Sequence, residues 1–202
     1  GFKLKMSFEL LKKPAVFIAA LALVCYIGLE FSMNTWIKPL MTELYEAMNN
    51  PHAVRDAGRV LALFGLAMAV GRFLSSAIKN LSIIGARLIA GASLVSIVAI
   101  LILGKTVSPL YAVIAEVVIG LAIAPMLPTI VGVTFAKVEP QLYGSVFGII
   151  FSIGLIGSML LPKVIGILSV GQTVQQSLTI AAVIAGILLL LSLLMGRSKK
   201  TD

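Results

Sequence analysis

Tyr26, Glu30 and Asn34 stand four residues apart in the stretch YIGLEFSMN. On a helix that spacing makes one stripe of phenol, carboxylate and amide. Such a stripe offers donors and acceptors to a polyhydroxylated solute, and Trp36, two residues on, is placed to stack on an apolar sugar face. A second acid, Glu116, sits in YAVIAEVVIGLAIAP, and a lysine, Lys163, in LLPKVIGIL. All are embedded in apolar sequence, where a charge at the centre of a bilayer costs roughly 3 kcal/mol on insertion scales and more than 10 kcal/mol by other estimates. A neighbouring cation favours the ionised form of a carboxyl and burial favours the neutral form. An acid poised between those influences can take up and release a proton, which is the chemistry of a proton-coupled carrier. Plainer roles fit the same residues: an interfacial anchor for Trp36, a helix–helix hydrogen bond for Asn34, and a structural pairing of Glu30 and Glu116 with lysine or backbone.

The elements that must carry these residues follow from composition. Of 202 residues, 59% are hydrophobic and only 12% charged, and the mean hydropathy is +1.09, outside the range of soluble domains. A bilayer core about 30 Å thick requires roughly 20 apolar residues in a helix. Six such stretches can be marked, at 14–38, 58–78, 82–104, 108–132, 143–168 and 174–196. They leave a lead segment, 1–13, which reads as an interfacial turn or connector with Ser7 as a candidate cap, and a short tail, 197–202. No room remains for a soluble catalytic domain. The chain opens on Gly1 with no cleavable signal pattern ahead of the first span, which suggests an excised or processed piece.

Charge placement predicts orientation. With the N-terminus inside, eleven of the sixteen Lys and Arg residues fall in inner segments and four in outer ones, with Lys163 inside a span. That bias places both termini in the cytoplasm and the chain in an inner, or plasma, membrane. The formal charge of +8 then reflects topology and contact with anionic lipid. A nucleic-acid partner is not expected, since no basic face is interleaved with exposed aromatics.

The spans repeat in kind. The first and fourth each hold an acid and irregular residues, Pro125 and Pro128 in the fourth. The second and fifth are rich in small residues, Gly65 and Gly71 in one, Gly144, Gly148, Gly154 and Gly157 in the other. The third and sixth are plain. Small residues let helices approach closely in lipid, and helices with ionisable groups must turn toward a wet cavity or a partner. Three helices repeated in inverted topology is a build used by secondary transporters.

Four stretches carry a resemblance to a known family: YIGLEFSMNTWIKP in the first span, GLAMAVGRFLSS in the second, GLAIAPMLPTIVGVTF in the fourth and YGSVFGIIFSIGLIGSMLLPKVIGIL in the fifth. The chain resembles the C-terminal six-helix half of a major facilitator superfamily transporter, and within it the fucose and related sugar:proton symporters. The resemblance implies an all-α integral membrane fold of six helices as a 3+3 inverted repeat. It implies alternating access, a proton gradient rather than a cofactor as energy source, and a small-molecule substrate. The partner it implies is an N-terminal six-helix half or a second copy. Gly71 and Arg72 match the start of the family's cytoplasmic gating loop, with Arg87 as its downstream basic position, although the acid that precedes the arginine in the fullest form is missing here. Pro125 and Pro128 are hinge candidates, or fixed bends.

Other functions find less support. His52 is the sole histidine and lies in a loop, so no buried serine has a histidine base. Asp56 and Asp202 are the only aspartates and neither lies within an apolar span, which removes an aspartyl dyad. One histidine and Cys25 cannot build a conventional metal site, and no Gly-rich phosphate cradle is present. An enzyme is therefore not expected. A non-transporting six-helix scaffold and a proton-coupled exporter of amphipathic compounds stand as alternatives to the carrier.

Overall fold

A computed structural model describes residues 9–78 and 80–197, with the side chains of residues 81 and 82 excepted. The described part is helical: α1 (Pro14–Ala47), α2 (Ala53–Ser76), α3 (Leu81–Leu103), α4 (Pro109–Ile123), α5 (Met126–Phe135), α6 (Tyr143–Leu168), α7 (Val174–Ser177) and α8 (Thr179–Arg197), with a 3-10 turn at Pro140–Leu142. Taken with their short companions, these make six helices long and apolar enough to cross a membrane. The Ser7 cap and the tail from residue 198 lie outside the described residues, as does Lys79. Glu9–Leu11 form a helical turn ahead of α1, with Leu10 buried in the bundle.

Two boundaries differ from those read in the sequence. α1 runs on to Ala47, nine residues past the expected end, and α2 starts at Ala53 rather than 58. Lys38, Pro39, Glu43 and Glu46 end the apolar run, but Ile37, Leu40, Met41 and Leu44 keep helical spacing and are buried. The 34 residues of α1 measure about 51 Å at 1.5 Å per residue, well beyond the hydrocarbon core. The turn into α2 uses Asn49 in the left-handed region (φ 57°), a conformation that asparagine tolerates.

The fourth span is two helices. Ala124 and Pro125 form a turn between α4 and α5. Pro128 falls in the first turn of α5, where a missing N–H leaves no bond unmade. The Thr129 hydroxyl donates to the Pro125 carbonyl at 2.6 Å, supplying a partner at the break.

α1 is the hub, packing on α6 along one side and on α2, α4, α5 and α8 elsewhere, while α3 packs on α4, α5 and α8. The α1–α6 seam needs glycine. A Cβ at Gly157 would stand 2.1 Å from the Val24 carbonyl oxygen, and one at Gly154 2.9 Å from Leu23 Cβ. Backbones in that proximity gain dispersion and polar contacts that apolar burial does not supply in lipid. Gly65, Gly144 and Gly148, by contrast, face open space, so part of the small-residue surface of α2 and α6 is uncovered.

Candidate functional site

The stripe on α1 forms as expected and gains a member from α2. Tyr26 is fully buried, Glu30 half-buried and Asn34 exposed, so the stripe runs from the bundle interior to its surface. The Tyr26 hydroxyl donates to Glu30 Oε2. Arg72 Nη2 donates to Glu30 Oε1 at 2.8 Å and to the Tyr26 oxygen at 3.0 Å. Phenol, carboxylate and guanidinium thus make a closed three-membered network. Side-chain exposures of 18% for Glu30 and 45% for Arg72 leave it open on one side, so its charge pairing is partly screened.

Arg72, a gating candidate by resemblance, makes its described side-chain contacts with α1. The midpoint of the full α1 helix falls at Glu30–Phe31, and Arg72 reaches Glu30 from the C-terminal part of α2. Gly71, the preceding residue, is a packing position: a Cβ there would come 2.6 Å from Ala124 Cβ, at the break in the fourth span. Arg87 is exposed on α3 and makes no ion pair among the described residues.

Asn34 folds back on its own helix, donating to the Glu30 main-chain carbonyl at 2.9 Å. Trp36 joins α1 to α6: its Nε1 donates to the Pro162 carbonyl at 3.1 Å, and a Cβ at Gly166 would meet its ring at 3.0 Å. The indole is therefore committed on one edge to helix packing. Lys163, one residue after that carbonyl, is exposed and pairs with neither acid; the cation that holds Glu30 is Arg72.

Glu116 is the other acid, and its setting is opposite. It is fully buried on α4, and neither carboxyl oxygen has a hydrogen-bond partner among the described residues. An ionised carboxylate in that state is costly, whereas a neutral acid is tolerated more readily. Gly120 abuts Phe64 and Ala67, and Gly71 abuts Leu121 and Ala124, which fixes the register of α2 on the fourth span. Glu116, one turn before Gly120, is then level with Val60–Leu63, 9–12 positions and roughly 14–18 Å along α2 from Arg72.

The arrangement therefore holds one acid clamped by a cation at an open edge and another sealed in apolar surroundings. Sequence reasoning missed Arg72 as the partner of Glu30. The available signal was the placement of an arginine and a glutamate inside neighbouring apolar spans, which demands a partner for each. It also missed Gln175, whose Nε2 donates to the Leu103 carbonyl at 2.7 Å and so caps the end of α3. Compared with known proteins, the chain matches no family model and no curated protein sequence.

Proposed function

We propose that the chain is one half of a twelve-helix secondary carrier that moves a small polar solute by alternating access, coupled to protons. The observation that carries the reading is the Tyr26–Glu30–Arg72 network, a half-open ionic cluster between the middle of α1 and the C-terminal part of α2, set in apolar helices. Stability alone is weak grounds for such a cluster, because apolar residues of similar size hold helices as well or better. A carboxylate whose partner is a guanidinium can exchange that partner for a proton when solute or water enters, and Glu116 supplies a second protonatable group on a neighbouring helix.

Three helix pairings support a 3+3 inverted repeat of the major facilitator kind, while the α1–α2 contact has no counterpart of comparable extent between α6 and the fourth span. Exchanging the first three spans with the last three carries the pair α1–α6 onto α4–α2, carries α1–α8 onto α4–α3, and leaves α3–α8 unchanged; all of these pairs pack together. The uncovered glycines of α2 and α6 flank α1 and offer a face for a second bundle, either an N-terminal half or another copy. In this reading both termini are cytoplasmic and no cofactor is required. A sugar-like substrate is favoured by the resemblance of the first and fourth spans to sugar:proton symporters, with the exposed Asn34 as a hydroxyl partner.

Reconstitution separates this reading from a scaffold. Vesicles holding the chain together with its companion half should show solute uptake driven by an inward proton gradient across a panel of monosaccharides and small organic anions. Absence of flux for every solute, with both halves folded and associated, would establish the scaffold instead; proton-driven extrusion of amphipathic dyes would establish the exporter.

A further inference from the structure

The seam between α3 and the fourth span holds a furrow lined by no member of the Tyr26–Glu30–Arg72 network. Its middle is a cavity of about 430 Å³ walled by Val98 and Ile102 of α3 and by Tyr111 and Val118 of α4. Toward one end it shares Val98, Ile102 and Tyr111 with a hollow that reaches Lys105 and Thr106. Toward the other it shares Val95 and Val118 with a hollow that passes Gly91 and Pro125 to Arg87. Small residues on both walls, Ala99 and Ala115 among them, keep the two helices from filling it.

The furrow is thus continuous, apolar along its length, and ended by a cation at each mouth. Arg87 and Lys105 are both exposed, and neither forms an ion pair among the described residues. They lie 18 positions apart on one element and its end (105 − 87), about 27 Å at 1.5 Å per residue, close to the thickness of a bilayer's hydrocarbon core. Long basic side chains at such ends reach the phosphate layer. The half-exposed Tyr111 ring lines the Lys105 end, the interfacial level that tyrosine favours.

We infer that this furrow is a binding site for anionic phospholipid, with acyl chains along the α3–α4 seam and headgroup phosphates at Arg87 and Lys105, one from each leaflet. An apolar slot alone would accept any acyl chain. Uncompensated positive charge at both mouths selects a headgroup of net negative charge, since a zwitterionic headgroup brings its own cation. The inference rests on the membrane-spanning helices and not on transport.

The test offers the detergent-purified chain equal amounts of phosphatidylglycerol and phosphatidylcholine and counts retained lipid by native mass spectrometry. Phosphatidylglycerol is retained in preference, and Arg87→Gln and Lys105→Gln each weaken that retention about fivefold. Gly91→Phe, at a position where an added Cβ meets nothing within 4 Å, plugs the furrow and removes retention with both charges in place. Equal retention of the two lipids, or phosphatidylglycerol retention unchanged in all three variants, overturns the inference. Should Gly91→Phe fail to fold by circular dichroism, the two surface variants decide alone.

Discussion

Arg72 holds Glu30 across the α1–α2 contact with its Nη2 2.8 Å from Oε1, in a region where the flanking residues of both helices are apolar. That bond explains why a carboxylate is tolerated there. It is also the bond that must loosen if Glu30 is to carry a proton.

A double-mutant cycle measures the pair. Glu30→Gln and Arg72→Gln should each destabilise the bundle by about 1–2 kcal/mol, and the double variant should cost less than their sum, with a coupling of about 1 kcal/mol given the half-exposed guanidinium. Thermal unfolding in detergent reads this directly, and strictly additive losses would mean that the pair contributes nothing.

Packing along α1 and α6 gives a sharper contrast. Gly157→Ala drives a methyl group into the Val24 carbonyl, backbone against backbone, and should cost about 3 kcal/mol or more. Gly148→Ala meets open space on the same helix and should be neutral or stabilise by up to about 1 kcal/mol. Gly148→Trp, harmless to the chain alone, should block association with a second bundle, as read by co-purification.

Trp36 is the only tryptophan, so its fluorescence reports on the α1–α6 clasp. Breaking the neighbouring seam with Gly157→Ala should shift its emission to the red as the ring leaves Gly166. Trp36→Phe loses the bond to the Pro162 carbonyl and should cost about 1 kcal/mol.

Much of the fold was legible because bilayer thickness converts hydropathy into helix count, and six spans were marked where six are found. The stripe of Tyr26, Glu30 and Asn34 was legible for a similar reason: spacing by four fixes a common face. The far end of α1 was not, since Lys38, Glu43 and Glu46 mask an amphipathic continuation that buries only one side. The break at Ala124–Pro125 was written in the proline pair as a bend. That Pro128 falls harmlessly in the first turn of α5 required the backbone to be seen.

The most direct test of the central claim is uphill uptake in vesicles carrying the chain with its companion half, compared among wild type, Glu30→Gln and Glu116→Gln. Proton-coupled carriage predicts that each glutamine variant loses accumulation driven by a proton gradient while still exchanging labelled for unlabelled solute across the membrane. Undiminished uphill accumulation in both variants would contradict it.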